Sequence, residues 1–254
     1  MTASGASSST EDIFINCPFD DEYLPLFDAM LFAILACGFD PRCALEHSDG
    51  AEVRIEKLYK LIRECGLAVH DLSRVQWSTA SQLPRFNMPL ELGIWLGAKR
   101  FGNGQKTKVC LILDAEQFRY QRFVSDIAGQ DPTPHGNDPL QVVRAIRDWL
   151  QTIRPNLRLP GGDEYAARFE AFLAVRPKLA ADASLSVKKL NYVDRLNLIR
   201  DWLVVKAEAS ITQAVSSLTA TAKVGIKAQL SIALDDVSLT GTATVSDPPN
   251  DQRK

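Results

Sequence analysis

Apolar positions follow two alternating patterns up to Asp114. Short continuous runs come at Ile13-Phe14-Ile15, Pro41 to Glu46, Leu67 to Leu72 and Lys108 to Leu113. Runs of that length, bounded by Gly, Pro and Asp, predict buried strands. Between them the apolar positions shift to helical spacing. In Glu52 to Cys65 they are Val53, Ile55, Leu58, Leu61 and Ile62, which line one face of a helix. A helix after Asp20-Asp21 is expected to run to about Cys37, with an aspartate as its cap and Gly38 as its stop. Phe86 to about Lys99 predicts a third helix, with Glu91 in its first turn, and a Gly-containing turn follows over Phe101 to Lys106. The order β-α-β-α-β-α-β predicts an α/β fold: a flavodoxin-like, or Rossmann-like, parallel sheet with helices on both faces.

Beyond Asp114 the pattern becomes helical. Glu116 to Ile127 predicts an aromatic- and arginine-bearing helix, and Gln130 to Asn137 a Pro/Gly loop. Asp138 with Pro139 predicts the start of a helix to Ile153. Further helices are expected from Asp163 to about Leu179 and over Val193 to Glu208. The chain then divides into a disordered tail over 1–11, an α/β domain over 12–128, a helical extension packing on it over 129–208, and an Ala/Thr/Ser-rich segment over 209–254. In that last segment the alternation from Val224 to Leu234 predicts a terminal hairpin, with a continued helix as the alternative.

Composition narrows the class. Of 254 residues, 46% are hydrophobic and 24% charged, which is ordinary for a globular core. A net charge of −2 argues against a nucleic-acid coating protein. The five cysteines form no CxxC pair and lie in or beside apolar runs, so buried free thiols of a reducing compartment are expected. Cys17 is the one candidate nucleophile among them, although no nearby histidine marks a partner. The polar start lacks a secretory pattern, and no apolar run approaches a membrane span, so a soluble cytoplasmic protein is expected.

Candidate chemistry gathers at one edge of the predicted sheet. Ligands of open parallel sheets bind at the carboxyl ends of the strands. Asn16, Pro18 and Phe19 follow the first strand, Arg42 ends the second, and Asp71, Ser73 and Arg74 follow the third. Asn87 and Glu91 open the next helix, and Arg54 opens the helix before it. Glu91 and Asp71 are the candidate catalytic carboxylates. The other residues are candidates for substrate binding, the arginines through phosphates. Trp77 in the polar connector is a candidate lid. No phosphate-cradling glycine motif and no metal-ligand cluster is present, so neither a metal nor a bound cofactor is expected.

The Glu-Leu-Gly core of the Glu91 helix, the opening Asn-Cys-Pro-Phe and the placement of Asp71 resemble the nucleoside 2-deoxyribosyltransferases. A glutamate opening the helix after the third strand also resembles TIR domains. The resemblance covers roughly residues 12–114. It implies cleavage of an N-glycosidic bond, with Glu91 steadying an oxocarbenium-like sugar and Asp71 holding a ribose hydroxyl or the base. Deoxyribosyltransferases carry an aspartate and a Gly-Thr ahead of the glutamate, where this chain has Arg85 to Pro89. With the candidate arginines, this favours NAD, as substrate rather than cofactor, over a free deoxynucleoside. Base exchange on deoxynucleosides and a non-catalytic nucleotide-binding module are the alternatives. The resemblance further implies a bacterial, antiviral defence role and switching by self-association, for which the C-terminal region is the candidate.

Overall fold

In the computed structural model the described residues are 12–46, 49–75, 85–209 and 212. The expected tail over 1–11, the lid candidate Trp77 and the hairpin or helix beyond residue 212 lie outside them.

Five parallel strands form one sheet in the order β2-β1-β3-β4-β5. These are β1 Asp12–Asn16, β2 Asp40–Arg42, β3 Leu67–Asp71, β4 Val109–Asp114 and β5 Thr133–Pro134. The flavodoxin-like expectation is met, and the order reverses between β1 and β3. Central β3 is buried along its whole length, as a parallel strand covered on both faces must be. The fifth strand, at the sheet edge beside β4, was not expected. Only Leu113↔Thr133 and Asp114↔Pro134 pair there, in the segment read as a loop.

The helices divide between the two faces. On one side α1 (Leu24–Ala36) packs with α4 (Pro139–Ile153) and α5 (Gly162–Asp182) around Ile13, Ile15, Leu67 and Val69. Every residue from Leu26 to Ile34 is buried, and apart from Asp28, held by Arg176 and Arg195, the stretch is apolar because it lies inside this layer. On the other side α2 (Arg54–Glu64) and α3 (Asn87–Phe101) cover Phe14, Ala68 and Trp95.

Local chemistry explains most boundaries. Pro18 has no N–H to continue the β1 ladder. Gly38 at φ +86° closes α1, donating to Leu35 O at 3.0 Å while Phe39 N reaches Ile34 O at 3.1 Å. Neither Asp20 nor Asp21 caps α1. Its N-cap is Tyr23, whose N–H is taken by Asp20 Oδ1 at 3.1 Å in the preceding turn. Asp138 does cap α4, accepting from Leu140 N at 2.9 Å. The helix expected over Glu116 to Ile127 is instead two 3-10 turns, Arg119–Arg122 and Ser125–Ile127. Phe118 at φ +59° breaks any continuous helix, and Arg119 is diverted to Asp114 and Leu72 O.

The chain divides into two compact units, Met1–Leu203 and Val204–Lys254. In the first, α5 and the helical residues 192–203, which we call α6, join the same core as α1 and α4, through Phe169, Phe172, Leu196, Ile199 and Trp202. In the second, residues 204–209 are helical and Val204 and Val205 are exposed. No described helix is long and apolar enough to cross a membrane.

Candidate functional site

Glu91 is the fifth residue of α3, in its second turn rather than its first. It therefore lies away from the N–H groups at the helix start, and complementing the macrodipole is a weak reason for its presence. Met88, Leu92 and Trp95 bury the flanking positions, and Glu91 itself is 5% exposed. Among the described residues it has no hydrogen-bond donor and no ion-pair partner. Burial pushes its carboxyl up to about 7, and the nearby charge of Arg54 opposes the rise. An unpaired carboxylate at this depth is costly.

Asp71 ends β3 and has the opposite environment. It is 0% exposed. Its Oδ1 accepts the Ser73 N–H at 2.7 Å, while Oδ2 accepts the Tyr23 hydroxyl and lies 3.1 Å from His135 Nε2. His135 Nδ1 accepts from Asn137 N at 3.0 Å, so Nε2 carries the proton that faces Asp71. Burial alone would raise the Asp71 carboxyl. The His135 imidazole, the Tyr23 hydroxyl and the Ser73 amide outweigh it and hold the group below its ordinary value. Asp71 is thus a sealed anion that ties β3 to the start of α1 and to the end of β5. The expected substrate contact of Asp71 is corrected: both oxygens are already occupied inside the protein.

Asn16 ends β1 directly beside His70 in the β1–β3 register. It is 2% exposed. Its Nδ2 donates to Met88 O and contacts His70 Nδ1, both at 2.9 Å, and its Oδ1 has no partner among the described residues. His70 is fully buried among Phe14 and Trp95, at ring separations of 5.9 and 5.6 Å. Burial lowers its pKa to about 3, so the ring is neutral.

The other candidates separate. Arg54 lies near Glu91 and forms no ion pair with a described residue. Arg42 is corrected: its guanidinium is held by Glu46 at 2.7 Å and Asp12 at 2.8 Å, with Glu64 at 3.5 Å. That acidic cluster gathers at the start of β1, away from the carboxyl edge. Arg74 reaches Glu22 at 3.0 Å on the surface. Ser73 supplies its N–H to Asp71, and its buried hydroxyl has no partner among the described residues. Pro18 is buried, Phe19 packs edge-on against Phe27 at 5.3 Å, and Asn87 is exposed at the start of α3. Cys17 is buried and its thiol is pushed well up, chiefly by burial, which leaves it unreactive.

Sequence reasoning missed Tyr23, His70 and His135. Strand alternation put His70 and Asp71 on opposite faces, but no local signal revealed their partners. Two grooves lined by described residues lie elsewhere, one between α2 and α3 near Ala98, the other beside Asp28, Arg176 and Arg195. No cluster of potential metal ligands occurs among the described residues. Comparison with known proteins returns no matching family model and no matching curated sequence.

Proposed function

We propose that this chain hydrolyses an N-glycosidic bond of a nucleotide, with NAD as the substrate that fits best. The observation that carries this reading is the contrast between the two carboxylates: Glu91 is buried and unpaired among the described residues, whereas Asp71 is buried and fully engaged. An ionised Glu91 beneath an anomeric carbon stabilises the positive charge that develops there. With its carboxyl pushed up to about 7 by burial, it can also take a proton from the incoming water.

The same contrast selects the leaving group. Two-carboxylate glycosidases use a second acid to protonate the departing atom. Asp71 cannot serve, because its oxygens are taken and it stays ionised. A pyridinium leaves without protonation. The C1′–N bond breaks, its electron pair neutralises the ring nitrogen, and water oxygen bonds to C1′ while its proton passes to Glu91 or solvent. The cationic substrate also supplies the counter-charge that Glu91 lacks, and Arg54 is the nearby cation for a phosphate.

Incubation of the full chain with NAD, followed by chromatographic detection of nicotinamide, tests the reading. Release is expected from the wild type, with a loss of at least about 100-fold in Glu91→Gln. No release from folded wild-type protein, alone or concentrated enough to self-associate, overturns it.

A further inference from the structure

Asn16 carries a feature that the glycosidase chemistry does not use. Its amide sits at the carboxyl end of β1, beside β3, where the strand order reverses and a crevice opens in folds of this topology. One Nδ2 proton goes to Met88 O, and with His70 protonated on Nε2 the other goes to His70 Nδ1. The amide cannot be turned over. Reversal would set Oδ1 against the Met88 carbonyl, acceptor against acceptor, whatever the tautomer of His70. The neutral imidazole of His70 is itself held by the aromatic rings of Phe14 and Trp95.

Among the described residues Oδ1 is consequently a fixed, buried acceptor without a donor. Such a group costs free energy unless something supplies a proton to it. Met88, which Asn16 grips, lies one turn before Leu92 and just ahead of Glu91 on α3. Two unsatisfied acceptors, an amide oxygen and a carboxylate, thus flank the first two turns of one helix. A phosphate offers acceptors only, and a base edge offers a donor only at an amino or amide group. A ribose offers hydroxyl donors.

We infer that Asn16 Oδ1 accepts a hydrogen bond from the 2′-hydroxyl of a bound ribose, making the site selective for ribosides over sugars that lack that donor. This rests on the glycosidase reading for its substrate class, but it is a statement about binding and is testable without turnover.

The test uses full-length Glu91→Gln protein and calorimetric titration with three probes. They are NAD, NAD whose nicotinamide-bearing ribose has a 2′-fluorine in place of the hydroxyl, and NAD whose carboxamide is replaced by hydrogen. The fluorine keeps the size and removes the donor. Binding of the fluoro compound is expected to be about 10- to 100-fold weaker than that of NAD, the loss expected when a buried acceptor is left unmet. The compound without the carboxamide is expected to bind like NAD. Asn16→Ala, shown to be folded by its thermal melt, should bind NAD and the fluoro compound equally. The comparison of probes on the parent protein stands even if that variant does not fold. Equal binding of NAD and the fluoro compound overturns the inference. So does weakening by the carboxamide deletion alone, which would assign Oδ1 to the base. Hydroxyl selectivity in a protein that never releases nicotinamide would sink the glycosidase reading and leave this one standing. Nicotinamide release without selectivity would do the reverse.

Discussion

Asp71 and Glu91 face opposite sides of the sheet. Asp71 follows the alternation of Leu67 and Val69 into the layer that contains α1, where Tyr23 meets it. Glu91 belongs to α3, on the side of Phe14, Ala68 and Trp95. The two carboxylates share an edge of the sheet but not a working face. Both oxygens of Asp71 are already engaged, so it offers Glu91 no free partner for a proton, and each carboxylate makes a separate contribution that can be measured.

Glu91 should lower the stability of the folded protein at neutral pH and above. Its carboxyl rises from an ordinary 4.5 to about 7 on folding. Between those values the folded state keeps a proton that the unfolded state has released, so stability falls as pH rises through that window and then levels off. Glutamine is neutral throughout. Glu91→Gln is expected to be more stable than wild type by about 2–3 kcal/mol at pH 8 and equal to it below pH 4. Urea unfolding at the two pH values measures this. A variant no more stable at pH 8 would show that Glu91 is not an unpaired buried acid. A residue that weakens the fold and is retained for chemistry is the expected mark of an active site.

Much of this architecture was legible in the sequence. The alternation of apolar runs and helical spacings, with Gly38 and the Asp138-Pro139 start, was enough to predict a parallel sheet and its first four strands. β5 was not legible because it pairs through only two residues, Thr133 and Pro134, inside a segment with every mark of a loop. The site was half legible. Glu91 and Asn16 stood out as polar residues in apolar surroundings at a strand or helix end. The fate of Asp71 depended on Tyr23 and His135, which are remote in sequence, and on which face α3 would cover. Arg42 looked like a phosphate ligand only while the positions of Asp12 and Glu46 around it were unknown.

Arg54 should tune the Glu91 carboxyl, the acid of the proposed reaction. Its positive charge lowers the Glu91 carboxyl against the larger effect of burial. Removing it in Arg54→Ala is expected to move the Glu91 titration upward, measured by carbon-13 NMR of the labelled carboxyl. If turnover requires the ionised form, its rise with pH should shift in the same direction. An unchanged titration would place Arg54 too far from Glu91 to matter.

Arg42 should behave oppositely. It holds Asp12 and Glu46 together with Glu64 nearby, so Arg42→Ala leaves a group of carboxylates without their shared cation. A loss of about 1–2 kcal/mol in unfolding free energy is expected, since the cluster is only part-buried. Nicotinamide release at saturating NAD should stay within about twofold of wild type, because the guanidinium is held by carboxylates away from the carboxyl edge. A selective loss of activity with unchanged stability would return Arg42 to the site.

Tyr23 should stabilise the fold through Asp71. Its hydroxyl donates to a carboxylate that is 0% exposed, so Tyr23→Phe removes one of the donors to a buried charge while keeping the ring. The expected cost at pH 7 is about 1–3 kcal/mol. The pH dependence follows from the depressed Asp71 carboxyl. Its contribution is complete above the ordinary 3.8 and is lost as pH falls through the lower folded value, because protonation then favours the unfolded state. Tyr23→Phe should bring the Asp71 carboxyl closer to its ordinary value and shrink that acid-dependent contribution. Unfolding free energies at pH 7 and pH 3 for wild type and variant measure both effects. If Tyr23→Phe were as stable as wild type at pH 7 and unfolded at the same acid pH, Asp71 would not be held as a buried anion, and its exclusion from catalysis would lose its basis.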